Sequence, residues 1–270
     1  MIEKWEIKDC HPYLSKPGFA ANKYQRGVLA CIVGDRKYPG AALMTTAAAL
    51  ATGVGMVRYF GPRAVSKAVI QFRPSVVISK GKIDALLIGS GIRINFFSKL
   101  RIKQYTKITA PKIIDAGAIE YYLKENFEKI DCSPTVITPH AGELSRLLGV
   151  SSLEIDANPQ LYAQIAARNF QVTVLLKGWQ SVIANSNRIL QLPPAPTWLA
   201  TAGTGDVLAG ILGALVAINC KIVTESNLIE IAATACIVHA EAARRSSEGP
   251  IDIEKMINEI SGSIQQIISR

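Results

Sequence analysis

The stretch "TAGTGDVLAGILGALVAI", residues 201–218, sets two glycines and an aspartate directly before a long apolar run. The run from Val207 onward is too long and too rich in Ala and Leu for one strand, and it predicts a helix with Asp206 in its first turn. Its apolar residues cover nearly every face, so the helix is expected to be buried. Gly203 and Gly205 permit positive φ and a close approach of the backbone to a ligand. The N–H groups at a helix start have no internal acceptors, and the macrodipole adds partial positive charge there, so a phosphate fits. An acid in a first turn is also an ordinary way to stabilise a helix start. A carboxylate at the end of a buried helix nevertheless needs a partner or a role in chemistry.

Working outward, short runs rich in Val and Ile alternate with helical patterns: "VLACIV" (28–33), "ALLIG" (85–89), "KIIDA" (112–116), "TVIT" (135–138) and "VTVLL" (172–176). Residues 40–52, 118–128 and 153–168 read as helices between them. Continuously apolar strands alternating with helices predict a doubly wound α/β fold, with a mostly parallel sheet covered on both faces. In such sheets ligands bind beyond the carboxyl ends of the strands. The residues found there are Gly34–Ala42 ("GDRKYPGAA"), Gly89–Ser90–Gly91, Asp115, Pro139–Glu143 ("PHAGE") and Lys177–Ser181 ("KGWQS"). Gly and Pro are what turns require at any strand end. Their recurrence with acid, His and Lys at five strand ends favours a ligand-binding edge.

The 270 residues are 49% hydrophobic, with Pro, Gly and Ser dispersed and no repeat or low-complexity tract, which predicts one domain spanning 1–270. Five separated cysteines, Cys10, Cys31, Cys132, Cys220 and Cys236, indicate neither a disulfide framework nor a zinc site, and a reducing cytoplasm fits them. The charged N-terminus lacks the apolar core of a signal peptide, and the longest apolar run is too short to span a bilayer, so no membrane partner is expected. The net charge of +9 is scattered and accompanied by no nucleic-acid motif, so no nucleic-acid partner is expected either. A basic balance raises the local concentration of small anions, and it also serves solubility alone.

Taken together, "YPGAA", "TPHAGE", "LLKGWQS" and "ATAGTGDVLAGILGALVA", in this order within residues 38–218, resemble the ADP- or ATP-dependent NAD(P)H-hydrate dehydratases of the ribokinase-like superfamily. The lead-in "NKYQRG", Asn22–Gly27, extends the likeness to most of the chain. The resemblance implies a repair reaction. A nicotinamide ring hydrated at C6 is phosphorylated on its new hydroxyl by ADP or ATP, and phosphate is then eliminated to restore NADH or NADPH.

The family pattern implies a role for each matching residue. Asp206 is the base, and Ala202, Gly203, Thr204 and Gly205 form the anion hole. Lys177, Gly178, Trp179, Gln180 and Ser181, with Gly205, contact the nucleotide. Ala41, Ala42, Gly91, His140 and Asp206 contact the hydrated dinucleotide, and Glu143 reaches hydrated Mg²⁺. Without the resemblance, Lys177 reads as a solvated lysine, His140 as a structural residue or an Asx-like cap, and Glu143 as a favourable helix N-terminal charge. Asp115 reads as a contact to magnesium-bound water or as part of a turn.

Two departures from the family pattern concern the substrate side. Gly89–Ser90–Gly91 stands where many members have Gly-Pro-Gly, and "PAPTWLA" (194–200) stands where many have an Asn-containing segment. The resemblance further implies Mg²⁺ as cofactor, a homo-oligomer and functional pairing with a separate epimerase, because the residues before Asn22 are too few to fold as one. The alternatives are a vitamin-pathway kinase of the same superfamily acting on a pyrimidine, thiazole or pyridine, and a nucleotide-binding regulator. An intact Asp206 argues against the regulator.

Overall fold

The computed structural model describes residues 2–14, 16–126 and 133–269. In chain order the elements are β1 (Ile2–Lys4), β2 (Val28–Ile32), α1 (Pro39–Ala51), β3 (Met56–Tyr59), α2 (Arg63–Phe72), β4 (Ala85–Ile88) and α3 (Phe96–Tyr105). They continue with β5 (Lys112–Ile114), α4 (Ala118–Asn126), β6 (Thr135–Ile137), α5 (Ala141–Leu148), α6 (Ser152–Ala157), α7 (Pro159–Phe170) and β7 (Thr173–Leu176). A short hairpin of β8 (Val182–Ala184) and β9 (Ile189–Gln191) precedes α8 (Thr204–Ile218), α9 (Leu228–Ser246) and α10 (Ile253–Ser269).

Among the described residues the strands form one nine-stranded sheet in the order β1-β9-β8-β7-β6-β5-β4-β2-β3. All neighbours are parallel except the two pairings of β8, so the doubly wound α/β expectation holds, with an antiparallel hairpin inserted toward one edge. The five apolar runs became β2, β4, β5, β6 and β7, each buried at every position, as strands covered on both faces must be. Alternation along β2 sends Leu29 and Cys31 into one core and Ala30 and Ile32 into the other. The first core lies under α1, α2, α8, α9 and α10, and the second under α3 to α7.

Residues 153–168 form two helices rather than one. Asn158, at φ −140° and ψ 60°, leaves the helical conformation, and Pro159, which has no N–H to give, opens α7. The predicted helix at 118–128 is present as α4 through Asn126, and the rest of it, like Cys132, lies outside the described residues. Cys10, Cys31, Cys220 and Cys236 are free thiols. No helix among the described residues is long and apolar enough to cross a membrane.

The buried-helix expectation for α8 holds, with every residue from Val207 to Ala217 buried. Its nearest helical neighbour is the Ala-rich α1, and small residues bring the two backbones together: a Cβ on Gly210 would stand 2.4 Å from the Thr45 carbonyl oxygen. Thr45 Oγ1 donates to the Asp206 carbonyl at 3.2 Å. The chain runs from β2 outward to β3 and then back past β2 to β4, which places the topological switch, and hence an open crevice, between β2 and β4.

Candidate active site

The loop before α8 is shaped for an anion. Gly203 caps the helix with φ +97°, a backbone conformation that favours glycine, and a Cβ there would also displace the end of the Met44 side chain, whose Sδ would stand at 2.7 Å. Gly205 is already helical. Its Cβ would stand 3.9 Å from Lys177 Nζ, so glycine here keeps open the space in front of that ammonium. The N–H groups of Gly203, Gly205 and Asp206 have no acceptor among the described residues, and no side chain caps the helix. The Thr204 hydroxyl shares its one proton between the carbonyls of Leu199 at 2.8 Å and Thr201 at 2.9 Å, which pins the loop.

Beside the loop lies a buried polar cluster gathered from four strand ends. Asp115, after β5, accepts from Thr138 Oγ1 at 2.6 Å and Lys177 Nζ at 3.0 Å on one oxygen, and from Ser90 Oγ at 2.7 Å on the other. Burial alone would raise the Asp115 carboxyl, but the Lys177 charge and these three hydrogen bonds outweigh it and hold it below the usual carboxylate range. Ser90, the residue that departs from Gly-Pro-Gly, therefore supplies a donor that proline lacks. Lys177 responds in kind: burial would lower its ammonium, and the charges of Asp115, Glu143 and Asp206 raise it. With an anion on both sides, Lys177 is not the solvated lysine of the plain reading.

Asp206 is the contrasting acid. Its carboxylate makes no hydrogen bond to a described residue, and burial, then the negative charge of Asp115, push it up to about 7 against the pull of Lys177. Two carboxyls near one lysine are thus split, one firmly ionised and one poised near neutrality. That split is the pattern by which acid and base assignments are recognised.

A cavity of about 550 Å³ opens from this cluster between the β7–β8 turn, the 192–200 segment, α8 and α9. Lys177, Gly178, Trp179, Ser181 and Gly205 lie on its wall, and Gln180 does not. Trp179 is 74% exposed, an aromatic face available to a base. His239 on α9, which sequence reading did not single out, also lines it. Its Nε2 lies 2.9 Å from the Thr204 carbonyl, and burial pushes the ring down to about 4, so it is neutral and donates that proton to the loop.

The other expected contacts have structural partners of their own. His140 is the N-cap of α5: its Nδ1 accepts from Gly142 N at 3.0 Å, and Glu143 Oε2 accepts from His140 N at 3.0 Å. The pair is a reciprocal capping box, which leaves the His140 Nε2 edge and Glu143 Oε1 free of hydrogen bonds to described residues. Ala41 packs against Gly91, where a Cβ would stand 2.4 Å from that of Ala41, and Ala42 packs against Gly34. Ala42 is fully buried, backbone included.

A doubly wound sheet, a glycine-containing loop heading a buried helix and a cavity beside it describe a ribokinase-like fold. The fold is shared with a ribokinase-like superfamily protein of Enterococcus faecalis V583, at TM-score 0.87 and 20% identity over 100% of this chain and 97% of that one. Residues 29–265 match the NAD(P)H-hydrate dehydratase family, and the chain belongs to that family. It is 35% identical over 254 residues to a bifunctional NAD(P)H-hydrate repair enzyme of Mycobacterium leprae, covering 91% of this chain but 51% of that protein. It thus spans about half the length of that curated relative. An ADP-dependent (S)-NAD(P)H-hydrate dehydratase of Xanthomonas campestris is 26% identical over 276 residues, covering 94% of this chain and 92% of that one.

Proposed function

We propose that the chain dehydrates the hydrated nicotinamide dinucleotide, (S)-NAD(P)HX, at the expense of ADP or ATP. One observation carries the reading most directly. Asp206, a half-buried carboxyl without a hydrogen bond to a described residue, titrates near 7 at the edge of a loop in which the N–H groups of Gly203, Gly205 and Asp206 have no acceptor among the described residues. Asp206 accepts the proton of the C6 hydroxyl as that oxygen attacks the terminal phosphorus of the nucleotide. The bond from that phosphorus to its bridging oxygen breaks, giving AMP from ADP or ADP from ATP. The loop N–H groups and Lys177 balance the charge of the transferred group, which is where catalytic weight lies in phosphoryl transfer. The ring nitrogen lone pair then expels phosphate from C6, and loss of the C5 proton restores the double bond.

The nucleotide occupies the 550 Å³ cavity, its base toward Trp179. The described residues offer no group of three or more His, Cys, Asp or Glu arranged to hold a metal ion. A Mg²⁺ site needs no such group, since that ion keeps most of its waters and is held by one or two carboxylates with substrate phosphates. Glu143, through its free Oε1, is the residue to hold such a water. Bound there, such an ion would supply charge neutralisation for phosphoryl transfer.

The proposal includes cytoplasmic action, homo-oligomeric assembly and pairing with a separate epimerase. The relatives named bifunctional support the idea that repair needs a second activity. Incubating hydrated NADH or NADPH with the protein, Mg²⁺ and ADP should restore the reduced-nicotinamide absorbance band. No recovery with either ADP or ATP refutes the reading.

A further inference from the structure

The crevice at the switch between β2 and β4 holds a second cavity, about 290 Å³ in volume, that the phosphoryl machinery does not use. Four guanidinium groups surround it, those of Arg36, Arg63, Arg93 and Arg101, against one carboxylate, Asp35. Asp35 is already committed: it accepts from Lys37 N at 2.7 Å, Tyr38 N at 3.0 Å and Arg93 Nε at 2.7 Å. Arg36, Arg63 and Arg101 make no ion pair or hydrogen bond with any described residue. The cavity therefore carries an unneutralised positive charge focused between walls that include Ile32 and Ile92.

Two features give it more than charge. α2 begins at Arg63 with no side-chain cap, so its N-terminal dipole end opens here as well. Phe97, in the first turn of α3, stands on the rim with 74% of its surface exposed. An apolar hollow with guanidiniums and a free aromatic face suits a phosphorylated nucleoside, the base stacking on the ring and the phosphate taking bidentate arginine. Along the same sheet edge, Asp115 after β5 is two strand spacings, roughly 10 Å, from Asp35 after β2. A dinucleotide spans that separation when extended.

We propose that this cavity receives the adenosine end of the hydrated dinucleotide, with its arginines on a phosphate of that half and Phe97 against the adenine. The inference rests on the dehydratase reading and adds a recognition site to it. The phosphate is either the 2′-phosphate that distinguishes NADPH from NADH or the diphosphate bridge common to both.

Steady-state kinetics of Arg63→Ala and Arg101→Ala, with hydrated NADPH and hydrated NADH at saturating Mg²⁺ and ADP, test it. Each change should raise KM for hydrated NADPH about tenfold or more while KM for ADP stays fixed, because a charge-assisted phosphate contact is lost. A rise confined to hydrated NADPH assigns the 2′-phosphate, and an equal rise for both substrates assigns the diphosphate. Arg73→Ala, at the far end of α2 and stacked on Phe72 at 4.2 Å, should match wild type and excludes a general charge effect. Unchanged KM values for both dinucleotides in both variants overturn the inference. Absence of turnover in wild type indicts the dehydratase reading instead. Calorimetric titration of adenosine 2′,5′-bisphosphate with the nucleotide cavity filled by ADP then decides the cavity alone: binding weakened by Arg63→Ala supports it, and binding unaltered by that change overturns it.

Discussion

Replacing Asp206 with Asn should make the protein more stable and nearly inactive at once. Burial and the Asp115 charge move the Asp206 carboxyl from 3.8 to about 7 in the folded chain. At about 1.4 kcal/mol per tenfold change in proton affinity, charging it at pH 8 costs the folded state roughly 4 kcal/mol as an upper bound, less whatever solvent screening removes from a half-buried group. The attraction of a first-turn carboxylate to the helix N-terminus opposes this by only about 0.3–1 kcal/mol, so burial and repulsion win.

The pH dependence has a definite sign. Between the unfolded and folded titration points the folded state binds more protons, so wild-type stability falls as pH rises from about 4 to about 7 and is level above that. Asn carries no such loss. The variant's advantage in Tm should thus be near zero at pH 4 and reach several degrees at pH 8, taking roughly 2–4 °C per kcal/mol for a chain of this size. Thermal melting of both proteins across this range, without nucleotide or Mg²⁺, measures it. Turnover, measured alongside, should fall roughly 10²- to 10⁴-fold. A variant less stable than wild type at pH 8, an advantage that does not grow with pH, or near wild-type turnover refutes the assignment of Asp206 as a strained base.

Asp115→Asn removes the charge that repels the Asp206 carboxylate and frees Lys177 to attract it, so the acidic limb of kcat/KM should move to lower pH; an unmoved or raised limb contradicts the electrostatic account. The same change strands a partly buried lysine and should lower stability by about 3 kcal/mol in denaturant titration. Gly203→Val should abolish most turnover, since its Cβ would press on Met44 Sδ at a φ of +97°, whereas Gly213→Ala meets only Leu29 and Leu87 methyls at 3.1–3.4 Å and should keep activity and most of its Tm. The opposite ranking would mean that the phosphate loop lies elsewhere. Activity should vanish in excess EDTA or with a non-hydrolysable nucleotide, and full activity in either condition excludes phosphoryl transfer.

The central strands were legible because burial on both faces writes an unbroken apolar run, and β2, β4, β5, β6 and β7 are all of that kind. β3, "MVRY", escaped because Arg58 interrupts it; its guanidinium is buried but satisfied by the carbonyls of Lys82 at 3.1 Å and Lys80 at 3.3 Å, and of Ser79. β1, "IEK", carries two charged residues and is largely exposed, and β8 and β9, "VIA" and "ILQ", form an antiparallel hairpin with no helix between them to mark a βα alternation. The Asn158–Pro159 break did carry a local signal, a proline, that the surrounding helical composition masked. In the site, Asp206 and the glycines announced themselves by spacing. The contacts of Ser90 with Asp115 and of His239 with Thr204 span 25 and 35 residues, and no local pattern encodes such partners.

The close approach of α1 and α8 has a mechanical consequence. α1 carries Ala41 against Gly91, α8 carries Asp206 in its first turn, and the two helices meet at Gly210, where the Thr45 carbonyl, the Ala48 methyl and the Thr45 hydrogen bond leave little room to yield. The two halves of the cleft therefore behave as calipers locked when the chain folds. On the proposed function, closure over a nucleotide falls to the periphery, the β7–β8 turn with its exposed Trp179, while the α1–α8 contact sets the position of Asp206. A Gly210→Ala change would force those calipers apart, because its Cβ would meet the Thr45 carbonyl oxygen at 2.4 Å.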